Sequence, residues 1–138
     1  MNLNTILAVA ALVILVALVF GMGYLQRKRP RTLNVEYFQT RWKEIQNLCG
    51  DKTTWPLAII DADKLLDEAL KQNKIKGKTM GERLVAVQRS LTDNDGVWYA
   101  HKLRNRLVHE QDIRLKEKDV KQALIGFRQA LKDLGALK

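Results

Sequence analysis

Apolar and polar positions follow two different patterns along this chain: an unbroken apolar run at the start, then apolar residues recurring every three or four positions almost to the end. Ile6 to Leu25 is 20 residues without a charge. As a helix rising about 1.5 Å per residue it reaches roughly 30 Å, the thickness of a bilayer's hydrocarbon core. Residues 1–26 are therefore expected to form a transmembrane anchor. The features of a cleaved secretory signal are missing: Met1 to Thr5 holds no Lys or Arg, the run exceeds the roughly 7 to 15 residues of a signal core, and Tyr24-Leu25-Gln26 is no small-residue cleavage site.

The remainder reads as helices. Val35, Phe38, Trp42, Ile45 and Cys49 alternate spacings of three and four, which predicts an amphipathic helix over Leu33 to Cys49, ended by Gly50-Asp51-Lys52. Pro56 suits the first turn of a second helix that runs to Asn73, with Ile59, Ala62, Leu66 and Ala69 inward. A basic loop, Lys74 to Lys78, precedes Thr79 and Glu82. This T-x-x-E capping box opens a short third helix carrying Leu84, Val85, Val87 and Leu91. Asn94-Asp95-Gly96 supplies a break and a cap, and a fourth helix follows over Val97 to His109 with Ala100, Leu103 and Leu107 on its core face. The last helix covers Lys118 to Leu134, with Val120, Leu124, Phe127 and Leu131 inward and Gly135 as its stop. No strand pattern competes. The expected fold class is all-α: one N-terminal transmembrane helix, a basic linker over 27–32, and a compact bundle of about five helices over 33–138.

Charge sharpens this organisation. All 24 Lys and Arg and all 15 Asp and Glu lie after residue 26, so the net +9 belongs wholly to that part of the chain. Arg27, Lys28, Arg29 and Arg31 account for four of those charges, leaving +5 on the helical domain. By the positive-inside rule this one-sided cluster places the N-terminus outside and the C-terminal domain in the cytoplasm. The same four cations are candidates for binding the anionic membrane surface, at about 1 kcal/mol each. Cys49 has no second cysteine to pair with and reads as a small core residue. Two histidines and one cysteine do not furnish a structural zinc site, and no metal or cofactor is expected.

One segment has chemical potential: His101-Lys102-Leu103-Arg104-Asn105-Arg106-Leu107-Val108-His109-Glu110. At about 100° per residue, His101, Asn105 and His109 lie at about 0°, 40° and 80° of one helix face, with Trp98 near 60°, whereas Ala100, Leu103 and Leu107 cluster between about 200° and 260°. The two histidines and the asparagine are thus expected on a polar face beside the core, not in it. Arg104 lies about 140° from His109. The two can meet if the helix ends at His109 or if a second chain supplies a matching arginine. On spacing alone, such residues serve equally well as solvated surface or as local pairs, such as Arg106 with Glu110.

Arg104-Asn105-x-x-x-His109 resembles the R-x4-6-H motif of the HEPN superfamily, whose members are small all-helical bundles, many of them metal-independent ribonucleases of toxin and defence systems. The resemblance covers Trp55 to Leu134: the motif ends the penultimate helix and precedes one long amphipathic helix containing Ala123-Leu124-Ile125-Gly126-Phe127. It implies Arg104, Asn105 and His109 as catalytic residues, a groove between the motifs of two chains in a homodimer, and RNA products with a 2′,3′-cyclic phosphate. His101, which has no counterpart in the motif, is an accessory candidate. So are Asp61 and Asp63, because an early helix of such bundles often carries an acidic residue near the site. Partners implied are the lipid bilayer, a second copy of the chain, and RNA or a protein such as an antitoxin. Some members of the superfamily are non-catalytic, so a membrane-tethered module binding a protein or nucleotide is the alternative.

Overall fold

A computed structural model of the chain describes residues 2–27 and 32–138. Its contacts divide the chain into two compact units, residues 1–31 and 32–138. The first contains α1 (Leu3–Arg27), whose stretch Leu3–Met22 is long and apolar enough to cross a membrane. Arg27 is its last residue; Lys28, Arg29 and Arg31 of the basic cluster lie outside the described residues.

The second unit is an all-α bundle: α2 (Val35–Leu48), α3 (Trp55–Gln72), α4 (Met80–Val87), α5 (Asn94–His109) and α6 (Glu117–Asp133), with short 3-10 turns at Lys52–Thr54 and Gln88–Ser90. No strand occurs among the described residues. α3 is the central element. It packs on α2, α5 and α6, and α5 and α6 form the most extensive helix pair. Ile59, Ala62, Leu66 and Ala69 of α3 are fully buried, as the spacing predicts, and they meet a core that includes Phe38, Leu84, Val97 and Phe127. Burial of each large side chain contributes about 2 kcal/mol, so the core lies where these faces converge.

Caps set the helix starts. Asn34 accepts from the Tyr37 amide at 3.1 Å, and Thr79 accepts from the Glu82 amide at 3.2 Å. Only half of the expected capping box forms, because the Glu82 carboxylate takes the Lys78 amide at 2.7 Å. α5 starts three residues earlier than its apolar pattern indicates. Asp93 accepts from the Gly96 amide at 2.9 Å, which draws Asn94-Asp95-Gly96 into the first turn. Gly135, at φ +76°, takes the left-handed conformation that ends α6, and the Leu134 carbonyl accepts from Asn73 at 3.2 Å.

Several expected core positions differ. Val85 is exposed, because the inward stripe of α4 is Met80, Arg83, Leu84 and Val87, and Val85 falls about 100° beyond Leu84. Leu91 is buried but lies past the end of α4, beyond the 3-10 turn. Val35, Cys49, Leu107 and Leu124 are half-buried.

Candidate functional site

Two helices bring the candidate residues together. α3 presents Asp63 beside Ala62 on its buried side, and α5 presents His101, Arg104 and Asn105 within little more than one turn. Asp63 is 3% exposed and His101 is 8% exposed. His101 Nδ1 lies 2.8 Å from Asp63 Oδ1. Arg104 Nε stands 3.3 Å from Asp63 Oδ2 without being directed at it, so that contact is an ion pair and not a hydrogen bond. Arg104 Nη1 donates to Asn105 Oδ1 at 3.0 Å, and Asn105 Nδ2 is 3.3 Å from His101 Nε2. These four contacts close a ring through Asp63, His101, Asn105 and Arg104. Trp98 covers one side of it, edge-on to the His101 imidazole with the ring centres 5.9 Å apart.

The polar face expected to lie beside the core is therefore divided. His101 and Asp63 are inside the fold, and Asn105 is half-buried. The physical reason is reciprocal: a buried carboxylate needs a charged or hydrogen-bonding partner, and His101 and Arg104 supply both. Asp61, two residues earlier, is half-exposed and stands outside the ring. His109 is the last residue of α5 and is exposed, apart from the ring. Arg106 pairs with Glu110 at 3.2 Å, the i,i+4 pairing that the spacing suggests.

A cleft of about 420 Å³ opens beside the ring, between α3, the start of α4 and α5. Asp63, Lys64, Asp67, Thr79, Gly81 and Arg104 are among its lining residues. Asp67 is balanced by a second arginine that the sequence reading did not single out. Arg83 Nε donates to Asp67 Oδ1 at 2.8 Å and Arg83 Nη1 to the Gly77 carbonyl at 2.6 Å, which pins the basic loop to α3. Lys71 Nζ reaches the other oxygen of Asp67 at 2.7 Å. Burial raises the Asp67 carboxyl, but hydrogen bonds and charge from Lys71 and Arg83 outweigh it and hold the group below the usual carboxylate range. The signal for Arg83 was present, since a cation occupies the inward stripe of an amphipathic helix. Asp63 gives the same signal on α3, four residues after Ile59.

Cys49 is half-buried with its thiol pushed up by burial, and its Sγ contacts the Ile45 carbonyl at 3.5 Å. Among the described residues, no group of three or more His, Cys, Asp or Glu side chains is placed to hold a metal ion. Comparison with family models, curated proteins and solved structures gives no match to this chain.

Proposed function

We propose that this chain is a membrane-anchored, HEPN-like ribonuclease that cuts RNA through Arg104 and His109. The observation that carries the reading is the division of labour at the end of α5. Arg104 is fixed against Asp63 and Asn105 inside the fold, whereas His109 stands exposed on the last residue of the helix. An arginine so held can grip non-bridging phosphate oxygens and stabilise charge as it develops. An exposed imidazole can accept the proton of a 2′-hydroxyl as that oxygen attacks phosphorus. The 5′-oxygen then leaves as the P–O5′ bond breaks, taking up a proton from the imidazolium or from water, and the product is a 2′,3′-cyclic phosphate. The resemblance places these events in a groove shared by two chains, which would bring His109 of one copy toward the arginine of the other. A shared membrane favours this pairing by raising effective concentration, and Ala17-x-x-x-Gly21 in α1 offers a small-residue contact.

α1 serves as the anchor in this reading, and Arg27, Lys28, Arg29 and Arg31 hold its C-terminal end at the cytoplasmic face. A removable signal sequence would satisfy the same length and apolarity.

The test uses the full chain in phospholipid nanodiscs with labelled RNA and a chelator. Cleavage is expected in the wild type and should fall about 10²- to 10⁴-fold in kcat for His109→Ala. A preparation that stays folded, dimerises and leaves every RNA intact sinks the proposal. A second reading, a non-catalytic module for a protein or nucleotide partner, is favoured by the use of Arg104 to balance buried Asp63. It expects no cleavage from any variant.

A further inference from the structure

The ring around Arg104 fixes more than distances. A guanidinium only donates, so the atom of Asn105 facing Arg104 Nη1 must be its amide oxygen. That turns Asn105 Nδ2, which also only donates, toward His101 Nε2. His101 Nε2 must then carry no proton, and the remaining imidazole hydrogen sits on Nδ1, where it donates to Asp63 Oδ1 at 2.8 Å. One donor-only group at Arg104 thus sets the amide orientation of Asn105 and, through it, the tautomer of His101. The chain of constraint ends on the carboxylate that faces Arg104 Nε.

We infer that Asp63, His101 and Asn105 are positioning residues that hold Arg104 in one orientation to receive a phosphate group, with His101 kept as its Nδ1–H tautomer. The phosphate assignment rests on the ribonuclease reading; the ring and the tautomer do not. Asn105 and His101 both border the cleft and act here through Arg104, whose guanidinium they orient. The Arg104 side chain is 27% exposed, so part of it stays open to solvent beside the cleft. Asp63 neutralises one edge of the guanidinium and Asn105 fixes its rotation.

The experiment is nuclear magnetic resonance on the full chain in nanodiscs, labelled with ¹⁵N at His and Arg. Only two histidines are present, so the imidazole spectrum holds two systems, and His109→Ala assigns them. At neutral pH, His101 should show a protonated Nδ1 and a bare Nε2, and Arg104 should give separate Nη signals because its rotation about Nε–Cζ is slowed. Asn105→Ala should let the two His101 tautomers exchange and merge the Arg104 Nη signals. His101→Ala should merge the latter too; if that variant does not fold, the wild type and Asn105→Ala still decide the question. A protonated Nε2 on wild-type His101, or Arg104 signals that Asn105→Ala leaves alone, overturns the ring. In RNA cleavage, both variants should lose about 10- to 100-fold in kcat with KM little changed. Normal kcat in both would overturn positioning while leaving the ribonuclease standing. A wild type that cuts nothing would remove the ribonuclease reading, and the spectra would still decide whether Arg104 is held.

Discussion

Gly126 of α6 lies against the backbone of Gly96 at the start of α5, so close that a methyl group on Gly126 would overlap the Gly96 carbonyl. The most extensive helix pair of the bundle is in close backbone contact here, and the obstacle is main chain, which cannot rotate aside. Gly126→Ala should therefore force α5 and α6 apart and destabilise the domain by about 3 kcal/mol, read as a lower unfolding midpoint in denaturant. Gly81 provides the contrast: it is helical, and an added Cβ there meets only ordinary contacts, the nearest at 3.8 Å. Gly81→Ala should leave stability unchanged or raise it by about 0.5 kcal/mol. Equal losses for the two would refute this assignment of the close approach.

The Asp67–Arg83 pair predicts an acid limb in the stability profile. The Asp67 carboxyl is held below its usual range of about 4, so its contribution is complete above that value and disappears as pH falls through the lower, folded-state value. Arg83 has a side chain 8% exposed and would be stranded without its partner. Asp67→Asn should cost about 3 kcal/mol at neutral pH and flatten the loss of stability as pH falls below about 4. An unchanged acid slope in urea titrations would assign that limb to other carboxylates.

Much of the fold was legible because repeated spacing records which way a side chain faces. Phe38, Trp42 and Ile45 on one helix, and Ile59, Ala62, Leu66 and Ala69 on the next, are buried as their periodicity requires. The site was less legible because its partners come from different helices. Asp63 and His101 are 38 positions apart, and although Asp63 falls on the inward stripe of its helix, nothing local names the partner it meets there. The helical wheel placed His101 beside Asn105 and His109 correctly by angle. It could not show that α3 would dock onto the His101 part of that face and leave His109 at the open end. Gly126 posed the same difficulty, since a glycine inside an amphipathic helix reads as a weak position until the neighbouring backbone is in place.

The span assigned to α1 is testable by charge. An arginine near the middle of a membrane-spanning helix costs about 3 kcal/mol on insertion scales, so Leu12→Arg should shift a large share of the chain out of the alkaline-resistant membrane fraction. Reporter fusions after Lys138 should behave as cytoplasmic, and replacing Arg27, Lys28, Arg29 and Arg31 with neutral residues should weaken that preference. Export of the wild-type fusion would overturn the orientation. Cleavage after α1 would convert the anchor into a signal.

Stability and activity should separate along α5. Asp63→Ala takes from His101 its hydrogen-bond acceptor and from Arg104 its ion-pair partner, and should destabilise the domain by about 3 kcal/mol. Arg104→Ala strands the buried carboxylate and should cost a similar amount. In a double-mutant cycle the two losses should fall well short of adding, with a coupling of about 1 to 3 kcal/mol, because each single change already breaks the same contact. His109 is exposed and outside the ring, so His109→Ala should change stability by less than about 0.5 kcal/mol. Any loss of RNA cleavage in His109→Ala therefore reports on chemistry, whereas a loss in Arg104→Ala must first be corrected for unfolding. Additive losses for Asp63 and Arg104 would show that they do not interact, and a strongly destabilised His109→Ala would place that histidine in a contact that the bundle depends on.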